Sequence, residues 1–154
     1  MLGPMVNPSF PQKQMTGVFS LELARLYAYL FQQTDTDFMV VYALDGYDEV
    51  SLTGDFKILT KNDEQIVSPS DLGLHTFDPA ELSGGNTVED AAKIFKSVLE
   101  NQSTRAQKEV AIANAGMALY CADEALGLQG AVDKARESLE SGNALLSFKK
   151  LIDI

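Results

Sequence analysis

The sequence predicts an α/β domain: a mostly parallel sheet flanked by helices, with one small hairpin. Three observations carry that prediction. Phe38, Met39, Val40, Val41, Tyr42 and Ala43 form an unbroken apolar run between Asp37 and an Asp45-Gly46 turn, the pattern of a strand buried on both faces. Before it, Leu23, Leu26, Tyr27 and Leu30 recur at helical spacing behind Ser20, a good N-cap, with Glu22 in the first turn, so residues 20–33 read as an amphipathic helix. Helix, polar link and buried strand in that order make an αβ unit, which usually belongs to a parallel sheet. After it, residues 55–60 and 65–67 alternate polar and apolar around Lys61-Asn62-Asp63-Glu64, which reads as a hairpin with one wet face.

At 154 residues the chain is the size of one domain, 1–154, with a sizeable core. Twelve basic against 22 acidic residues give a formal net charge of −10. Such a balance argues against nucleic acid and against anionic membrane surfaces, both of which are held by Lys and Arg. One cysteine, Cys121, allows no internal disulfide, which fits a reducing compartment. No run of 18 apolar residues and no basic-then-apolar leader is present, so the expected location is the cytoplasm.

The remaining segments read mainly as architecture. Residues 1–14 read as either a leader or a cut segment. Ser68-Pro69-Ser70-Asp71-Leu72-Gly73-Leu74 closes the hairpin. His75, the single histidine, reads as a loop residue rather than a general base. No G-x-S-x-G motif supports a Ser-His hydrolase. Gly84-Gly85 precedes a helix that Thr87 and Asp90 cap and whose stripe is Val88, Ala91, Phe95 and Val98; it lacks the Lys of a phosphate loop. Residues 104–126 open on a Thr104/Gln107 capping pair and are crowded with small residues, Ala111, Ala113, Ala115, Gly116 and Ala118, which predicts close packing. Within that helix Asn114 reads as a satisfied amide and Cys121 as a small buried hydrophobe. Gly127 is expected to end it, Gly142 to end the next helix (Leu128, Val132, Ala135, Leu139), and Asn143 to cap the last (Leu145, Phe148, Ile152).

The candidate chemistry lies in Asp45-Gly46-Tyr47-Asp48-Glu49-Val50-Ser51-Leu52-Thr53-Gly54, directly after the buried strand. Ligands of open α/β sheets bind beyond the strands' carboxyl ends. Two adjacent carboxylates in a loop there, Asp48 and Glu49, can face one hard cation such as Mg²⁺, which is commonly held by one or two carboxylates plus substrate phosphates. By composition alone a solvated turn accounts for the same residues.

The stretch resembles the D-G-x-D-E-x-S-L-T-G signature of the anthranilate phosphoribosyltransferase family. Further segments resemble the same family: Leu2-Gly3-Pro4 with Asn7-Pro8 (L-G-P-x-x-N-P), Ser68 to Leu74 (S-P-x-D-x-G-L), and Asn114 to Tyr120 (N-A-x-x-A-L-Y). The resemblance implies a nucleoside phosphorylase/phosphoribosyltransferase type of catalytic domain. It implies that phosphoribosyl is transferred from phosphoribosyl pyrophosphate to anthranilate in tryptophan biosynthesis, and that Asp48 and Glu49 are Mg²⁺ ligands. The metal would neutralise the departing pyrophosphate. It further implies that the chain is the C-terminal portion of that domain. The family's G-T-G-G-D loop, its Lys-His-Gly-Asn-Arg segment, its anthranilate-contacting Arg and the helical region through which it forms homodimers have no match here. The expectation is therefore a chain inactive alone. Asp90, where the family's L-x-G-G-x-x-x-x-N-A has Asn, and Tyr42, where many members have His, depart from the pattern. Two other readings compete: a nucleoside phosphorylase of the same superfamily, and a non-catalytic interaction module whose acidic loop is a solvated turn.

Overall fold

The computed structural model, which describes residues 3–153, places the apolar run second in a four-stranded sheet. A 3-10 turn at Gly3–Met5 leads to β1 (Lys13–Gly17), α1 (Leu21–Gln32) and β2 (Asp37–Ala43), then to β3 (Phe56–Thr60) and β4 (Glu64–Val67). Four helices follow: α2 (Val88–Leu99), α3 (Arg105–Ala122), α4 (Gly127–Glu140) and α5 (Asn143–Ile152). The order across the sheet is β1-β2-β3-β4.

Strand β2 is apolar throughout because both its faces are covered. Met39, Val41 and Ala43 join Phe56 and Ile58 of the sheet in a core with Ile112, Met117 and Val132 of α3 and α4. Phe38 and Val40 point the other way, against Ala24, Tyr27, Ala28 and Phe31 of α1. Full burial of each large side chain contributes about 1.5–3 kcal/mol, so alternation into two cores fixes the strand's register firmly. Helix α1 starts as expected, with Ser20 Oγ accepting from Leu23 N–H at 3.3 Å.

The α/β class holds, but the expected mostly parallel pairing becomes a mixed one. Only β1 and β2 run parallel; β2–β3 and β3–β4 are antiparallel. A crossover helix, α1, returns the chain in the same direction, whereas the loop after β2 has no helix and sends β3 straight back. Strand β1 begins at the end of the segment 1–14 that the sequence reads as a leader or a cut piece and runs on to Gly17, so it is an addition to the expected sheet. Met1, and Leu2 of the Leu-Gly-Pro segment, lie outside the described residues.

Helix α3 is shorter than expected. It ends at Ala122 on the Asp123 cap, a 3-10 turn spans Glu124–Leu126, and Gly127 opens α4 instead of closing α3. Gly142, not Asn143, caps α5. The α2 stripe is not buried: Val88 is 81% exposed, and Phe95 and Val98 instead wall an apolar cavity of about 560 Å³ with Ala111, Ala115 and Ala118 of α3. Close approach of α3 to α4 is made by Gly116. A Cβ there would lie 2.8 Å from Val132 Cγ2 and 3.0 Å from Val132 Cα. Gly116→Val is therefore expected to lower unfolding stability in urea by about 1–3 kcal/mol, the usual cost of overpacking.

Candidate metal site

The loop of residues 44–55 joins β2 to β3 and rests on the carboxyl ends of the parallel pair β1 and β2. Its ends are closed by backbone bonds, Leu44 N–H to Asp55 O at 2.9 Å and Ala43 N–H to Tyr47 O at 3.1 Å, with Gly46 turning at φ +96°. Asp45, though exposed, is engaged within the loop: its carboxylate accepts from the Thr53 hydroxyl, and Thr53 Oγ1 lies 2.7 Å from Ser51 Oγ. Leu52 sits at φ +57°, a conformation that costs a non-glycine residue about 1–2 kcal/mol. Complete burial of its side chain, worth about 1.5–3 kcal/mol, offsets that cost.

Two long-range contacts fix the part of the loop that carries the acids. Asn114 of α3 grips the Val50 backbone: Val50 N–H donates to Asn114 Oδ1 at 3.0 Å, and Asn114 Nδ2 donates to Val50 O at 2.9 Å. The second contact is with β1. A Cβ on Gly17 would stand 1.6 Å from Asp48 O, so the loop lies directly on a backbone that only glycine leaves clear.

Between these contacts Asp48 and Glu49 project into solvent, and among the described residues neither side chain has a hydrogen-bond or ion-pair partner. The donor set suits Mg²⁺: hard carboxylate oxygens on a fixed backbone, able to share a cation with phosphate and water. No group of three His, Cys, Asp or Glu that could hold a metal occurs among the described residues. The protein thus offers at most part of a coordination shell at this loop.

His75 is not the free loop residue the sequence suggests. Its side chain is 52% exposed, but its backbone N–H donates to Glu109 Oε2 at 2.8 Å and its ring meets the same carboxylate at 3.1 Å. Arg105 Nε donates to Glu109 Oε1 at 2.8 Å. Glu109, 7% exposed, is a buried carboxylate that the sequence reading missed. Burial pushes its pKa up, but the His75 backbone N–H, the Arg105 guanidinium and the His75 ring together outweigh burial and leave it below the usual glutamate value. The pin reaches the acidic loop two residues on, where Phe77 N–H donates to Leu52 O at 2.9 Å.

The other singled-out residues make local contacts away from the acidic pair. Ser68 and Asp71 form a capping box around Pro69–Leu72. Thr87 Oγ1 accepts from Asp90 N–H at 3.1 Å, while Tyr42 packs partly buried beside the α1 core. Cys121 is a free, buried cysteine, and burial raises its thiol's pKa. No helix among the described residues is long and apolar enough to cross a membrane.

The profile of the glycosyl transferase family, a/b domain, matches residues 1–145. The chain belongs to this family. Among curated relatives, the anthranilate phosphoribosyltransferase of Cytophaga hutchinsonii is 56% identical over 152 residues, covering 99% of this chain and 46% of its own length. That of Christiangramia forsetii is 50% identical, covering 98% and 45%. The chain therefore spans slightly under half the length of the relatives it matches. Among solved structures, anthranilate phosphoribosyltransferase from Saccharomyces cerevisiae in complex with PRPP and Mg superposes with a TM-score of 0.84 at 26% identity, over 99% of this chain and 44% of that one. The Thermus thermophilus enzyme gives 0.78 at 27% identity, over 87% and 40%. The likeness of this family member thus extends through all its described elements, including the acidic loop.

The Glu109 pin makes a pH prediction. Its folded pKa lies below the ordinary 4.5, so the stabilisation is complete above that pH and is lost as pH falls through the lower folded value. Urea unfolding of wild type and Glu109→Gln is expected to show the variant less stable at neutral pH by about 1–3 kcal/mol, with the gap closing on acidification below 4.5.

Proposed function

We propose that this chain is the part of an anthranilate phosphoribosyltransferase that supplies the metal ligands. In this reading phosphoribosyl passes from phosphoribosyl pyrophosphate to anthranilate in the cytoplasm, as a step of tryptophan biosynthesis. The observation that carries the reading is the loop itself. Within a chain 56% identical to such an enzyme, the two acids of the D-G-x-D-E stretch are its unengaged carboxylates, held outward by a backbone fixed from two sides.

Asp48 and Glu49 act here as oxygen donors to Mg²⁺ and not as acid or base. When bound, the cation supplies charge neutralisation for the pyrophosphate as it leaves. The residues around the pair do the orienting: Asn114 fixes the backbone at Val50, Gly17 seats Asp48, and Asp45 with Thr53 closes the loop base. His75 does not serve as a base, being committed to Glu109. The sequence holds no G-T-G-G-D or Lys-His-Gly-Asn-Arg segment to donate to a pyrophosphate, and its net charge of −10 opposes one. Catalysis therefore requires the portion of the relatives' length that this chain does not match, which would also carry the homodimer contact.

Loss of anthranilate fluorescence with phosphoribosyl pyrophosphate and Mg²⁺ tests the reading. The chain alone is expected to give no turnover, and addition of a chain carrying the relatives' N-terminal half is expected to restore it. Asp48→Asn with Glu49→Gln should then weaken the Mg²⁺ requirement's apparent affinity by more than the roughly 10- to 100-fold typical of an outer-shell loss. Unchanged Mg²⁺ dependence would remove the pair from the site.

A further inference from the structure

We infer that Asn114 is a positioning residue for the acidic pair, setting from α3 the backbone conformation in which Asp48 and Glu49 share a divalent cation. The inference rests on the reading of that pair as a cation site. The amide of Asn114 bonds both polar groups of one residue, accepting from Val50 N–H at 3.0 Å and donating to Val50 O at 2.9 Å. It thereby pairs with Val50 as a neighbouring strand would. Its remaining N–H donates to Val110 O at 3.0 Å, one turn back along α3. Val110 O can only accept and Val50 N–H can only donate, so the amide has a single orientation that satisfies all three bonds.

Val50 follows Glu49 directly, and its own side chain is fully buried. On the other flank, the Asp48 carbonyl is seated where Gly17 has no side chain. The backbone of the pair is therefore held at both ends, and the freedom left to the acids is in their own side-chain torsions. Orientation of ligands by groups that do not touch the metal is a general feature of metal sites. Asn114 is the residue here with the geometry for it. It reaches the loop from 64 positions away in sequence, and its helix is anchored in the main core by Ile112, Ala113 and Met117. Neither Ala nor Asp can replace it: Ala makes none of the three bonds, and Asp keeps the bond from Val50 N–H but sets a carboxylate against two carbonyl oxygens.

The test uses Mn²⁺ as probe, titrated into the purified chain and followed by the electron paramagnetic resonance signal of the free ion, with thermal unfolding measured alongside. Wild type is expected to bind Mn²⁺ weakly, as a partial coordination shell would, and Asp48→Asn with Glu49→Gln to weaken that binding by more than about tenfold. Asn114→Ala and Gly17→Ala should each weaken binding by about tenfold or more. Asn114→Asp keeps only the bond from Val50 N–H and sets its carboxylate against the carbonyl oxygens of Val50 and Val110, so it should weaken binding at least as far as Ala, with thermal unfolding showing that each variant is folded. Val132→Ala is the control, since it opens the α3–α4 core beside Gly116 while leaving the three Asn114 hydrogen bonds in place, and it should leave Mn²⁺ affinity unchanged. Wild-type affinity in folded Asn114→Ala or Asn114→Asp would overturn the inference while leaving the cation site standing. Equal weakening by Val132→Ala would show a merely structural effect and also overturn it. Wild type indistinguishable from the double acid variant would instead overturn the cation site beneath it.

Discussion

The grip of the Asn114 amide on Val50 is the interaction on which the arrangement of the acidic loop depends. A loop that carries two unpaired carboxylates has every electrostatic reason to spread. This one is held by two hydrogen bonds of one side chain, whose third bond ties it to its own helix, and by a second line of contact from the same helix, in which Glu109 holds His75 and Phe77 holds Leu52. Helix α3 thus supports the loop from two of its turns. The helix is itself held by Ile112, Ala113, Gly116 and Met117, buried against sheet and α4. The acidic pair thus stands on a rigid element, with the loop serving as its outer surface.

The charge balance gives that rigidity a purpose under the proposed reading. Net charge of −10 makes a diphosphate an unwelcome visitor until a cation screens it. Loose carboxylates would meet a cation only after losing conformational entropy. Carboxylates on a fixed backbone have only their side-chain torsions left to lose.

Much of this was legible in the sequence, for definable reasons. Strand β2 and helix α1 announce themselves because each obeys one period over its whole length, and the acidic pair because adjacent carboxylates beyond a buried strand are chemically conspicuous. Strand β1 was missed because Lys13-Gln14-Met15-Thr16-Gly17 has no apolar alternation: its place is set by pairing with β2, and its glycine by contact with Asp48. The α2 stripe was legible as a helix but not as an unfilled one, since period says which side is apolar and not what lies opposite. Arg105 and Glu109 stand at i,i+4, a visible pairing, yet the other partner of Glu109 is His75, 34 residues away. Asn114 could be read as a satisfied amide; that its partner is the neighbour of the metal-ligand candidates could not.

Leu52 shows how narrow the set of acceptable residues becomes when backbone and side chain make opposite demands. Its positive φ favours glycine, and its full burial favours a large aliphatic group. Glycine would relax the turn and leave a void; valine or isoleucine would fill the void and be refused by the turn. A single-step walk through sequence space therefore meets a barrier on either side of leucine. The surface loop that presents the acids is, at its inner residue, as restricted in its vocabulary as the deepest position of the core.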